Sequence, residues 1–267
     1  MKIVRQLLVL SIAIITLASC SDTKQNNVPL QNQDMSGMVP QQAPIQNTNF
    51  QKKQQSQQPK LEMKYFRDST GAKSYRMPLP ANWKVNPNYK DSIKIKGPNG
   101  IMVAEMDPMN FAYSENSTLQ KDLSNEGFDW YAFATIDEIS PHFLKPMKDN
   151  GFTELNQYPL PAYTERMQKS LNRLEIPGAT VKAFARVFDL KGPKGEDAVI
   201  VIAQSKISVN GVDFWSVNVS VLKTPTTDFK TARDTYLFAL NNIEVNPKLV
   251  DDTNKEIKSE MQKNNAN

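Results

Sequence analysis

Alternating apolar and polar residues predict two β-hairpins near the start of the folded region. Residues 63–67 and 72–79 are strand-like runs, and Gly71 lies between them. Glycine supplies the positive φ that a tight turn needs. A second pair of runs, 93–96 and 101–106, is joined across Gly97-Pro98-Asn99-Gly100. This spacing also predicts an antiparallel pair.

The strongest β pattern extends from residue 180 to residue 223. Apolar residues alternate through 181–188, and the run 198–208 is rich in Val and Ile. Asn210-Gly211, before the run 212–222, is the favoured two-residue loop of a tight hairpin. We therefore predict three consecutive antiparallel strands.

Spacings of three and four residues predict helices in the middle of the chain. Phe128, Tyr131, Ala132 and 135–136 follow this spacing. Ser140-Pro141 then indicates the start of a second helix, which Asn150-Gly151 would end.

The later part of the chain predicts a short strand at 152–157, two more helices and an edge strand at 243–245. The first helix carries one apolar face and stops at Pro177-Gly178. The second is capped by Thr226 or Thr227 with Asp228. The apolar faces are formed by Tyr163, Met167, Leu171 and Leu174 in the first helix and by Phe229, Ala232, Tyr236, Leu237 and Leu240 in the second.

These elements predict an α+β fold in which helices flank an antiparallel sheet. We expect one domain over residues 61–250, followed by a polar tail at 251–267 that is a frayed helix or disordered. Residues 20–60 are rich in Gln, Asn and Pro and have no sustained apolar period. They predict a disordered tether.

The order of elements resembles the PsbP-like α/β/α sandwich over roughly residues 64–246. The resemblance rests on Met77-Pro78-Leu79-Pro80-Ala81-Asn82-Trp83, on the following Gly97-Pro98, and on a late hairpin before a C-terminal helix. The predicted helical insert at 129–150 departs from that family. Because most of its members are not catalytic, the resemblance implies no catalytic residues.

Residues 1–19 have the pattern of a secretory signal peptide. Lys2 and Arg5 precede the apolar run 7–16, which is too short to span a bilayer. Leu17-Ala18-Ser19-Cys20 resembles the lipobox of bacterial lipoproteins. The resemblance implies cleavage between Ser19 and Cys20, a diacylglycerol on the Cys20 sulfur, and acylation of the new amino terminus by a fatty acid such as palmitate.

Lipidation would place this protein in the bacterial cell envelope. Two or more acyl chains give stable membrane attachment. The residue after Cys20 is Ser21 rather than Asp, which in this family implies delivery to the outer rather than the inner membrane. A flexible tether of about 40 residues spans roughly 35 Å.

Composition narrows the possible functions. Without Lys2 and Arg5 the chain keeps 30 basic against 28 acidic residues, so its net charge does not indicate nucleic-acid binding. Its single Cys and single His exclude an internal disulfide and a zinc site of the usual type. We expect no cofactor.

Three sets of residues could carry chemistry, and each has a plainer structural interpretation. His142 lacks a serine or cysteine nucleophile to activate. The pairs Glu105/Asp107, Asp137/Glu138 and Glu196/Asp197 are expected to be solvated, although facing carboxyls could hydrolyse glycosides. Met102, Met106 and Met109 could bind Cu(I), but core packing is the simpler role.

We therefore expect a non-catalytic envelope lipoprotein that binds a protein partner as an assembly or accessory factor. Trp130 falls off the predicted apolar stripe and is the candidate contact residue. Two alternatives stay open. One is an envelope hydrolase with an unrecognised carboxylate site, and the other is a lipoprotein that binds a small ligand or a metal.

Changing Cys20 to Ala should move the protein from the membrane fraction to the soluble fraction, because the acyl chains have no other attachment point. Fractionation of cells expressing either chain measures this shift. Retention of Cys20→Ala in the membrane would contradict the anchor.

Overall fold

The structure, a computed structural model, describes residues 60–67, 71–88, 90–125 and 129–265. The predicted signal peptide, Cys20 and the tether lie outside the described residues. The two predicted N-terminal hairpins are confirmed. β1 (Leu61–Arg67) pairs with β2 (Lys73–Pro80), and β4 (Ile93–Lys96) pairs with β5 (Met102–Glu105), both antiparallel. The short strand β3 (Lys84–Val85) adds to β4.

The predicted three-stranded meander is also confirmed. β9 (Thr180–Lys191), β10 (Glu196–Val209) and β11 (Val212–Pro225) form continuous antiparallel ladders. Asn210 and Gly211 have φ values of 50° and 75°, as the predicted two-residue turn requires.

The described strands form two sheets. The larger has the order β3-β4-β5-β11-β10-β9-β8, and β6 (Met109–Tyr113) pairs with the other end of β11. β7 (Asp129–Trp130) pairs with β6 in parallel, and β8 (Thr153–Pro159) pairs with β9. The smaller sheet has the order β1-β2-β12, where β12 is Glu244–Val245.

Helices cover both faces of the larger sheet. α3 (Pro161–Leu171), α4 (Phe229–Asn241), α5 (Pro247–Asn265) and the smaller sheet pack on one face. α2 (Ile136–Asp149) packs on the other. At one end of the sheet, α1 (Ser117–Asn125) buries Leu123 beside Phe214. The α+β fold with helices against an antiparallel sheet is therefore confirmed.

The predicted helix through residues 128–136 is wrong. Residues 129–130 are a strand and 131–135 have no regular secondary structure, so α2 begins only at Ile136. Thr135 caps α2 in a reciprocal box with Glu138, which satisfies two backbone donors. Ser140-Pro141 lies inside this helix rather than at the start of a second one.

Two other expectations change at the C-terminal end. Asp228 precedes α4, but its side chain makes no capping bond and instead accepts a hydrogen bond from Asn99 Nδ2 at 3.2 Å. Residues 251–265, expected to be a polar tail that is a frayed helix or disordered, are helical and continue α5, and Val250 and Ile257 are buried in the core. Because Val250 and Ile257 are seven residues apart, they lie on one apolar stripe of a helix that is otherwise rich in charged residues.

Asn210→Val should lower the melting temperature by roughly 2–8 °C, because a β-branched residue at positive φ costs about 1–2 kcal/mol. Asn210→Gly is the matched control, since glycine accepts that φ, and it should melt like the unchanged chain. Equal melting temperatures for the Val and Gly variants, measured by circular dichroism, would contradict the turn.

Candidate functional site

A row of aromatic and basic side chains crosses the face of the large sheet that α2 covers only in part. Phe111 on β6 lies opposite Trp215 on β11, and Trp215 lies opposite Lys206 on β10. Lys206 in turn lies opposite Lys182 on β9. Directly opposed residues of an antiparallel ladder share a face, so the four side chains form one row. The Phe111 and Trp215 rings stack with centroids 4.2 Å apart.

The chain between β7 and α2 passes over this row and is fixed to it by two side chains of the sheet. Trp215 Nε1 donates to the Tyr131 carbonyl oxygen at 2.9 Å. Gln204 Nε2 donates to the Ala134 carbonyl oxygen at 2.8 Å. The segment 131–135 is therefore held in place although it has no regular secondary structure.

Phe133 ties the segment to the aromatic row. Its ring meets Trp215 edge-on at 5.6 Å and lies 6.0 Å from the ring of Phe184. The Tyr131 ring stands edge-on to Phe111 at 6.3 Å. We call the five rings of Phe111, Tyr131, Phe133, Phe184 and Trp215 the aromatic surface.

Two members of the aromatic surface are exposed to solvent. Tyr131 is 64% exposed and Phe184 is 37% exposed, whereas Trp215 is buried beneath the segment. The half-buried rings of Phe111 and Phe133 therefore lie between the buried Trp215 and the two exposed rings. Aromatic side chains in such positions are enriched at the centres of protein interfaces, where each ring buries a large area at little cost in conformational entropy.

Basic side chains border the aromatic surface. Lys206 Nζ lies 4.8 Å from the Phe133 ring centroid and forms an ion pair with Asp213 at 2.8 Å. Lys182 is exposed beside it, and Arg186 pairs with Asp137 at the start of α2. A cation over a ring face attracts it electrostatically. The surface therefore combines apolar area with a rim of basic side chains, of which Lys206 and Arg186 are paired with carboxylates.

Trp130, the predicted contact residue, directly precedes Tyr131 of the aromatic surface in the sequence. Its backbone belongs to β7 and pairs with Ala112 of β6, so it is not on a helical insert as expected. Its side chain lies outside the described part of the structure. The structure describes an exposed aromatic side chain at the next residue, Tyr131. Its spacing of three residues from Phe128 predicts a place on a buried helical face, and that prediction is wrong.

Glu105 forms a second cluster, on the opposite side of the sheet. Tyr75 Oη donates to Glu105 Oε1 at 3.0 Å. Burial raises the pKa of Glu105, and the bond from Tyr75 offsets part of that rise. Burial also raises the pKa of Tyr163 and of Tyr236, which lie within electrostatic range of Glu105. Glu105 is therefore half-buried and bonded to Tyr75, rather than fully solvated as expected, whereas Asp107 is exposed.

The other two predicted carboxylate pairs also divide between different partners. Glu138 caps α2, while Asp137 pairs with Arg186. Asp197 is buried and accepts the Gly192 N–H at 3.3 Å, so the expectation that it is solvated is wrong. Its neighbour Glu196 pairs with Lys223 at 3.1 Å.

His142 and the methionines have no shared site. His142 is exposed on α2, and its ring meets the Phe143 ring edge-on with centroids 5.2 Å apart. Met102 and Met106 are exposed, so their predicted core packing is wrong, and only Met109 packs against the core. Within the described ranges, no three His, Cys, Asp or Glu side chains form a metal-binding group.

The chain matches no family model and no curated protein. Solved structures similar to it include the cyanobacterial PsbP of Synechocystis sp. PCC 6803, with 10% identity and a TM-score of 0.31, over 73% of this chain and 98% of that one. Another is LpqN, involved in cell envelope biogenesis of Mycobacterium tuberculosis, with 10% identity and a TM-score of 0.32, over 70% and 92%. Similarity this low carries no argument about function.

Glu105→Gln should stabilise the protein more at about pH 7 than at about pH 4. The folded state binds the Glu105 proton more tightly than the unfolded state, so wild-type stability falls as pH rises above the ordinary glutamate pKa. The amide keeps an acceptor for Tyr75 but does not titrate. Urea unfolding of both chains across this range measures the difference, and a constant difference would contradict the raised pKa.

Proposed function

We propose that this chain is a lipid-anchored protein of the bacterial cell envelope that binds a protein partner through its aromatic surface and acts as a non-catalytic assembly or accessory factor. The lipobox resemblance at Leu17-Ala18-Ser19-Cys20 supports the anchor. None of the helices within the described residues is long and apolar enough to cross a membrane. In this proposal Cys20 carries the whole attachment.

The exposure of Tyr131 on a fixed backbone is the observation that carries the proposal. An exposed aromatic ring that packs against nothing is free to move and loses entropy when it binds. Here the Tyr131 carbonyl is bonded to Trp215, and its ring meets Phe111. A preorganised contact residue keeps more of its interaction energy as affinity.

The basic rim indicates the chemistry of the partner. Lys182 and Lys206 lie beside the rings, and a partner with acidic residues around an apolar centre would complement them. Complementary charges at the rim mainly speed association and align the two surfaces. The tether, with a reach of roughly 35 Å, would let the domain find such a partner some distance from the membrane.

A hydrolase is the second candidate, and the raised pKa of Glu105 is the observation that favours it. A carboxyl whose pKa is raised by burial can act as a general acid. In this cluster the carboxyl faces tyrosine hydroxyls rather than a second carboxylate. Glu105→Gln separates the two candidates, because it would abolish hydrolysis but leave partner binding through Tyr131 unchanged.

Tyr131→Ala should reduce recovery of the envelope partner by about tenfold or more, the loss typical of a residue at the centre of an interface. The experiment crosslinks intact cells, purifies the chain through a tag after α5, and identifies the captured proteins by mass spectrometry. Trp130→Ala, at the contact residue predicted from the sequence, is measured in parallel.

Phe238→Ala is the matched control. Phe238 is 40% exposed on α4, which packs on the other face of the sheet, so its loss removes a similar exposed ring from a different surface. Equal recovery of the partner with Tyr131→Ala and Phe238→Ala would contradict the aromatic surface as the binding site. If the unchanged chain captured no protein at all, the partner proposal would fail.

A further inference from the structure

The outer edge of β1 is a second unpaired feature of the surface. β1 pairs with β2 along one side, and no strand of the described residues pairs with its other side. Ala81 N–H donates to the Lys60 carbonyl at 3.1 Å. Because bonding residues alternate along an antiparallel strand, Leu61, Met63 and Tyr65 direct their N–H and C=O groups away from β2.

The register with β2 agrees with this assignment. Leu61 lies opposite Pro80 and Met63 lies opposite Pro78. Proline has no N–H to donate, so these positions of β2 lack a donor for β1. The hydrogen-bonding capacity of Leu61 and Met63 is therefore directed to the free edge.

The same three residues present apolar side chains to solvent. Leu61 is 42%, Met63 38% and Tyr65 46% exposed, and they share one face because side chains alternate along a strand. Proteins usually protect a regular apolar edge of this kind with prolines, charges or a covering element. Within the described ranges, no strand pairs with these backbone groups, and the apolar side chains of the same stretch are exposed.

We propose that two copies of this chain pair antiparallel through β1, about a two-fold axis at Met63, to form a continuous six-stranded sheet. Met63 would then lie opposite Met63 of the second copy, and Leu61 opposite Tyr65. The three outward-facing residues of each copy would form about six hydrogen bonds across the axis. A two-fold interface uses the same patch twice, so the patch must complement itself.

Charge is the feature that makes the patch self-complementary. The two-fold at Met63 sets Glu62 opposite Lys64 of the second copy, and Lys64 opposite Glu62. Lys64 Nζ donates to the Ala81 and Trp83 carbonyls at 3.0 Å and 2.5 Å, and Glu62 of its own chain lies 4.0 Å away. An ammonium group has three hydrogens to donate, so a third acceptor can be accommodated. Opposite charges in directly facing positions stabilise paired strands.

The position of the axis follows from the same residues. An axis at Leu61 would set Met63 against Pro59 of the second copy, which has no N–H to donate. An axis at Tyr65 would separate Glu62 from Lys64. Only pairing about Met63 keeps both the hydrogen bonds and the two charge pairs.

A disulfide reporter in the full-length chain tests the pairing. With Met63→Cys the two cysteines would face each other with Cα atoms about 5.5 Å apart, within disulfide range. Oxidation of a cell lysate should then give a disulfide-linked dimer on a non-reducing gel. Leu61→Cys should give much less, because Leu61 faces Tyr65. The unchanged chain measures the yield of any disulfide formed by Cys20. Phe238→Cys measures the yield of disulfides formed by random collision of exposed cysteines.

Charge exchange in the Met63→Cys chain tests the register. Glu62→Lys and Lys64→Glu should each lower the dimer yield by about tenfold, because two symmetric pairs change from attraction to repulsion. The double exchange should restore the yield, and so should co-expression of the two single variants. Rescue by the mixed pair also shows that the single variants are folded.

Three results would overturn the proposal. The first is a Met63→Cys yield no higher than that of Phe238→Cys. The second is failure of both the double exchange and the mixed pair to restore the dimer. The third is a crosslink from position 63 to a different protein, which would make the β1 edge the site of another partner.

Discussion

Burial of the central strands on both faces is the constraint on which the rest of this structure depends. β10 is buried at every position from Asp197 to Ser205, so each face of the sheet must be covered. One face is closed by α3, α4, α5 and the small sheet. The other is closed by α2 and by the segment that leads into it. Val and Ile residues on the two faces of β10 are buried in the two cores, and burial of such apolar area favours this arrangement.

The second cover is shorter than the surface beneath it. α2 has 14 residues, which span about 21 Å as a helix, whereas the 14 residues of β10 span about 47 Å as a strand. Beyond the helix, that face is closed by the rings of Phe111, Phe133 and Trp215 under the segment 131–135. Rings at its margin, Tyr131 and Phe184, stay exposed. The aromatic surface thus follows from how the fold covers its core. The proposed binding function uses the rings that this covering leaves exposed.

Local sequence signals predicted most of the strands and failed where long-range contacts decide the structure. The Asn210-Gly211 turn needs only its two residues to adopt positive φ, so it could be found from sequence. Residues 128–136 have helical spacing, yet part of this stretch has no regular secondary structure and is bonded to Trp215 and Gln204, which are distant in sequence. The hydrogen bond from Tyr75 to Glu105 likewise joins two residues that are 30 positions apart in the sequence. Because these contacts are long-range, the exposure of Tyr131 could not be predicted from sequence. Its neighbour Trp130 could be predicted as a contact residue from its position off the apolar stripe.

The central claim is that the aromatic surface contacts a partner in the cell, and photocrosslinking at single positions tests it most directly. A photoreactive amino acid is placed at position 131 or at position 238 of the full-length chain, and intact cells are irradiated. We expect position 131 to form a discrete crosslinked product with one envelope protein, and position 238 to form none. Products of the same size and yield from both positions, or none from position 131, would contradict the claim.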